Sequence, residues 1–142
     1  MPVSLFALYR RPTGGEAELE TFRKRYAAEH MPLVRDTPGL RSVVVHRVSH
    51  AFQESDLVMI AEMIFDNRAE LDAGLQSDQM RQAGRNLREI ATGGFTLLVL
   101  EPELETLHAH DSALAGLYEG PREAPDAADA AGTGSPSEAD RA

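Results

Sequence analysis

His30 is the residue of this 142-residue chain best suited to chemistry. It follows Tyr26 by one helical turn, and Phe22 stands one turn earlier still. Side chains at that spacing share a helix face, so His30 and Tyr26 can reach one space. An imidazole there can act as general base or acid near neutral pH. A neighbouring phenol can donate a hydrogen bond to a developing oxyanion. These two are the candidate catalytic residues, with Phe22 on the same wall. The competing reading makes His30 a cation that caps the helix C-terminus against the dipole.

A second group comes from two apolar runs, Leu40–Phe52 and Leu57–Phe65, joined by polar Gln53-Glu54-Ser55. Runs so joined read as an antiparallel hairpin. A turn centred on Glu54 sets His46 opposite Glu62, Val48 opposite Ile60 and Val44 opposite Ile64, and opposed residues share a sheet face. His46 and Glu62 can then pair, raising the basicity of the ring, with Ile60 beside them in the pocket wall. The plainer reading is a cross-strand pair on a partly wet face. Glu62 still asks for a partner, because a buried lone carboxylate is costly. Tyr9 and Arg10 end the first strand and can reach a pocket mouth, although a strand-end pair often serves packing and surface. Arg35 is either an anion-binding side chain or simply solvated.

These residues need elements to hold them. Val3–Arg10 is a short apolar strand closed by Arg11-Pro12-Thr13-Gly14-Gly15. Thr13 and Glu16 have capping-box spacing. Leu19, Phe22, Tyr26 and His30 form one helix stripe, and Pro32 is expected to stop that helix near His30. Asn67 and Glu70 mark a second helix start. The period runs through Met80, Ala83, Leu87 and Ile90 to Thr92-Gly93-Gly94, with Gly74 a candidate interruption. Phe95–Leu100 is the last strand. The order strand, helix, strand, strand, helix, strand predicts an α+β, ferredoxin-like domain over residues 1–102, with a four-stranded antiparallel sheet and helices on one face. The opposite face then carries either Val44, Val48, Val58, Ile60 and Ile64, or Val43, Val45, Met59 and Met63. Either set is too apolar for water, so a homodimer through the sheet face is expected.

Charge and composition narrow the function classes. Residues 1–101 carry 12 Lys and Arg against 14 Asp and Glu, while residues 102–142 carry 2 against 9. The domain is nearly neutral and lacks a basic stripe, so no nucleic-acid partner is expected. Residues 103–142, rich in Ala, Gly and Pro, read as an acidic, mostly disordered tail with a marginal helix over Glu103–Tyr118. Such a tail either solubilises the protein or docks a basic partner. There is no cysteine and hence no thiolate chemistry. His30, His46, His50, His108 and His110 show no metal-ligand spacing beyond the His108-x-His110 alternation, and the paired glycines make no dinucleotide fingerprint. No metal and no cofactor are expected. The start of the chain lacks a signal peptide pattern and no apolar run reaches membrane length, which implies a cytoplasmic protein with no membrane partner.

The stretch Leu8-Tyr9-Arg10-Arg11-Pro12, then Phe22, Tyr26, His30-Met31-Pro32-Leu33 and Pro38-Gly39-Leu40, resembles the EthD family, similar in fold to other dimeric α+β barrels. The Phe-x3-Tyr-x3-His-x-Pro-Leu pattern is its most specific feature. The resemblance implies a pocket for a small hydrophobic ligand between helix one and the sheet. It also implies an oxidoreductase-associated role, since members are associated with oxidative degradation of small organics. Related proteins act in dehydration or cyclisation, and some oxygenases of the wider fold need no metal or prosthetic group. The alternative is a non-catalytic binding or accessory protein.

Overall fold

The computed structural model describes residues 1–104. Residues 105–142 lie outside that range, and with them most of the acidic segment, most of the expected Glu103–Tyr118 helix, and His108-x-His110.

The first strand, β1 (Val3–Arg10), buries alternate residues: Val3, Leu5, Ala7 and Tyr9 face one way, as a period of two requires. It lies between β3 (Leu57–Phe65) and β4 (Phe95–Leu100), and β2 (Leu40–Arg47) forms the far edge. The order is β2-β3-β1-β4 and every pairing is antiparallel. Between β1 and β2 the chain forms α1 (Glu16–Arg25), one π-helical turn (Tyr26–His30) and α2 (Met31–Arg35). Between β3 and β4 it forms α3 (Arg68–Leu75) and α4 (Asp78–Ile90). This is the expected α+β arrangement.

All the helices bury their stripes on one sheet face. Leu19, Phe22, Tyr26, Leu87 and Ile90 pack on Ala7, Tyr9, Met59 and Ala61. Val34, Leu71 and Ala83 pack on Val3, Leu5, Met63 and Phe65. The other face holds Phe6, Leu8, Ile60 and Ile64, with Val44 and Leu98 each 42% exposed.

Local details depart from the sequence expectation in four places. First, Thr13 does not cap α1. Gly15 occupies that position with φ 88°, and no side chain bonds to the helix start. Only glycine holds that left-handed backbone without strain. Second, Pro32 does not end the helix at His30. The chain widens into the π turn, in which the Met31 N–H bonds to the Tyr26 carbonyl, and Pro32 falls in the first turn of α2. Proline is tolerated there because first-turn N–H groups lack partners anyway. Third, the hairpin register is displaced. Ile60 opposes His46, and Glu62 opposes Val44. The link from Val48 to Asp56 is not a tight turn about Glu54; pairing continues into it through the Val48 N–H and the Val58 carbonyl at 3.0 Å. The displacement is an even number of residues, so the side chains keep their expected face.

Fourth, α3 runs through Gly74 and breaks just beyond it, where Ser77 Oγ accepts from the Met80 N–H at 3.1 Å and caps α4. Gly74 is a packing residue: a Cβ there would stand 2.9 Å from the Phe65 ring and 3.1 Å from the Pro38 carbonyl oxygen. The expected cap at the start of α3 is present. Asn67 Oδ1 accepts from the Glu70 N–H at 2.9 Å, satisfying one of the helix's unpaired donors.

Candidate functional site

A cavity of about 220 Å³ lies between the helix-facing side of the sheet and the helices. The small residues Ala7, Ala83 and Gly84 leave the space. Tyr9 and Phe95 enclose it from the sheet, His30 and Val34 from the first helical segment, and Met63, Met80 and Leu87 from β3 and α4.

An aromatic column runs along one wall. The Tyr9 ring meets Phe22 at 5.6 Å and Tyr26 edge-on at 5.2 Å between centroids, and Tyr26 meets His30 at 4.8 Å. The π turn sets this last contact, since both rings stand on it; such turns recur at functional sites. The two phenols share a buried hydrogen bond of 3.1 Å. Burial, chiefly, and then the partner phenol hold Tyr9 far above its ordinary pKa; burial also raises Tyr26. Both are neutral phenols.

His30 is only 4% exposed. Its Nδ1 lies 3.2 Å from Asn86 Oδ1. Asn86 Nδ2 in turn donates to Glu29 Oε1 at 2.9 Å. Arg25 grips Glu29 through Nε at 2.8 Å and Nη2 at 3.0 Å, and reaches Glu89 at 3.0 Å. The direction of this chain determines the tautomer. A carboxylate only accepts, so the Asn86 amide NH2 turns to Glu29 and its oxygen to His30. The His30 Nδ1 must then carry the proton, leaving the lone pair on Nε2. Glu29 stays ionised because hydrogen bonds from Arg25 lower its pKa. Burial lowers the pKa of His30, against smaller opposing effects of Asn86 and the Ala83 carbonyl. The ring is therefore neutral at pH 7.

The candidate residues divide between the two sheet faces. Tyr9 and His30 line the cavity. Tyr26 bonds to Tyr9 from behind, and Phe22 packs against both tyrosines in the core. Arg10, His46, Ile60 and Glu62 lie on the far face. There Arg10 bonds to Thr96 at 2.8 Å, and Ser4 Oγ donates to Glu62 at 3.0 Å. Glu62 thus finds a serine where His46 was expected, while His46 is exposed opposite Ile60. Arg10 cannot share the pocket with Tyr9, because strand neighbours point to opposite faces. Arg35 is exposed at the end of α2.

Two polar residues of the site escaped sequence reasoning, Asn86 and Arg88. The available signal was a polar residue beside the buried Ala83–Leu87–Ile90 stripe of α4. Among the described residues no helix is long and apolar enough to cross a membrane.

Sheet order and one-sided helices define a ferredoxin-like α+β domain. Two solved structures at low identity share that fold. One is a dimeric protein of unknown function from Bacteroides fragilis, 15% identical, covering 70% of this chain and 95% of its own, with TM-score 0.54. The other is a DABB family protein from Mesorhizobium loti, 12% identical, covering 72% and 98%, with TM-score 0.56. Much nearer in sequence is an EthD family protein from Bacillus halodurans, 32% identical, covering 72% of this chain and 99% of that one, with TM-score 0.62. The EthD domain model matches residues 16–86. The chain belongs to the EthD family. No curated protein sequence matches it.

Proposed function

We propose that this domain takes a small, largely apolar organic molecule into the cavity and removes a proton from it with His30. The observation that carries the reading is His30 in the cavity wall with its Nδ1 3.2 Å from Asn86 Oδ1, a contact that favours the proton on Nδ1 and the lone pair on Nε2. In the step, a substrate C–H or O–H proton passes to Nε2, and the bond's electron pair stays on the substrate as an enolate or related anion. Tyr9, backed by Tyr26, donates a hydrogen bond to that anion. Proton removal opens both oxidation and dehydration or cyclisation, the reaction classes associated with EthD-like proteins. The protein works as a homodimer whose protomers cover each other's sheet face, a reading supported by the exposure of Val44 and Leu98.

A second reading, a carrier without turnover, draws on the Tyr9–Tyr26 bond, which lets the two phenols satisfy each other with no ligand present. Nitrobenzisoxazole, whose ring opens on loss of one carbon-bound proton with a strong colour change, separates the two. A base at His30 gives a rate above buffer that rises with pH through the lowered histidine pKa and then levels, and His30→Gln removes it. A probe that occupies the cavity but opens no faster than in buffer leaves the carrier reading.

A further inference from the structure

Of the described side chains around the cavity, only Arg88 carries a charge at neutral pH. His30 and Tyr9 are neutral, and the remaining lining residues are apolar or glycine. Arg88 stands in the last turn of α4, where a cation suits the helix dipole. Its guanidinium nevertheless folds back over Gly84, with Nη1 3.7 Å from where a Cβ on that glycine would stand. Gly84 and Arg88 both line the cavity, and Arg88 is also exposed to solvent, so it stands at the cavity mouth. Glycine is a poor helix former, so its place on the cavity wall is not explained by helix formation alone.

Most other arginines of the domain are engaged. Arg11, Arg23, Arg25, Arg41, Arg68 and Arg81 each pair with a carboxylate. Arg88 pairs with none among the described residues. Arg10, which bonds to Thr96, and Arg35, Arg47 and Arg85 also lack a carboxylate partner there, but none of them lines the cavity. An apolar cavity whose wall carries a guanidinium with no carboxylate partner among the described residues selects a particular ligand chemistry. The body must be apolar, and one end must be anionic and planar enough to meet the guanidinium fork. An apolar cavity of about 150 Å³ admits benzene, so 220 Å³ takes a substituted single ring or a chain of like size.

We infer that the ligand is a small organic monoanion, a carboxylate with an aromatic or branched apolar body, and that Arg88 is the residue that selects it. The inference rests on the proposal that this cavity is the binding site, and its test separates the two. Met63 and Met80 line the cavity, whereas Met1, Met31 and Met59 do not. Methyl-13C labelling of methionine in the full chain therefore reports occupancy directly. Phenylacetate and phenylacetamide have the same shape and differ by one charge.

Both probes should move the Met63 and Met80 signals, with the acid bound about tenfold more tightly, a modest figure suited to a partly solvated cation. Arg88→Gln should bring the acid to the affinity of the amide, and Arg88→Lys should keep part of the preference. Arg85→Gln, an equally exposed arginine of the same helix that does not line the cavity, should leave the ratio unchanged. If the two probes bind equally well to the unsubstituted protein, the role of Arg88 is wrong and the cavity reading survives. If neither probe moves Met63 or Met80, the cavity reading falls and takes this inference with it.

Discussion

Replacing either phenol of the buried pair should destabilise the protein, and replacing both should not. Tyr9 is 1% exposed and Tyr26 4%, and each hydroxyl has the other as its partner at 3.1 Å. Tyr9→Phe removes one hydroxyl and strands the other away from water. A buried polar group left without a partner costs about 1–3 kcal/mol, whereas removing both partners together is nearly neutral. Each single substitution should therefore cost about 1.5 kcal/mol, and the double less than about 1 kcal/mol. The coupling in the cycle is then about 2 kcal/mol, within the span seen for residues in contact. For a domain of this size each kcal/mol moves Tm by about 4–8 °C. Thermal and urea unfolding of the four proteins measures all these terms. Additive losses, with the double substitution as costly as the two singles combined, would refute the shared bond. Preserved ring packing makes this a clean test, since phenylalanine keeps the contacts with Phe22 and Phe95.

Three further outcomes follow from the geometry. His30 has a folded-state pKa below its ordinary 6.5, so the unfolded chain binds the proton first. Stability should fall as pH drops through about 6.5 towards the lower folded value, and His30→Gln should flatten that part of the pH–stability curve. Gly74→Ala should destabilise by about 1–2 kcal/mol in urea titration despite alanine's better helix propensity, because the new methyl meets Phe65 and the Pro38 carbonyl. Leu98→Glu on the open sheet face should shift the protein to monomer in sedimentation velocity while its far-ultraviolet circular dichroism stays unchanged; a persisting dimer would place the interface elsewhere.

Periodicity made the fold legible before any coordinates. The Val3–Arg10, Leu57–Phe65 and Phe95–Leu100 strands agree with the structure end for end, because short apolar runs bounded by Gly, Pro or polar residues have few other ways to bury themselves. Asn67 was readable as a cap because its type and its spacing to Glu70 are a local code. The turn chemistry was less readable. Gly15 rather than Thr13 starts α1, since the backbone there is left-handed and backbone sign is not written in the capping pattern. Pro32 was misread as a stop because the residue pattern does not reveal that a π turn can carry the chain past it.

The site divides along the same line. His30, Tyr26, Phe22 and Tyr9 could be gathered from the sequence, because a helix stripe and a strand must both turn their apolar side chains to the one core. Which of them faces open space is a matter of tertiary packing: Tyr9 lines the cavity and Tyr26 stands behind it. Arg10, His46, Ile60 and Glu62 share a face that none of the described helices covers, because strand alternation and the hairpin register assign them there together. Asn86 and Arg88 are far from His30 in sequence; that the first bonds to His30 and the second lines the same cavity depends on how α4 docks across the sheet. The sequence by itself determined the elements, their order and the face each apolar stripe would bury, since those follow from local periodicity. Only the tertiary structure decided the partner of His30 and the place of Arg88 on the same cavity wall, since a hydrogen bond and a shared cavity exist only between groups that folding has brought together.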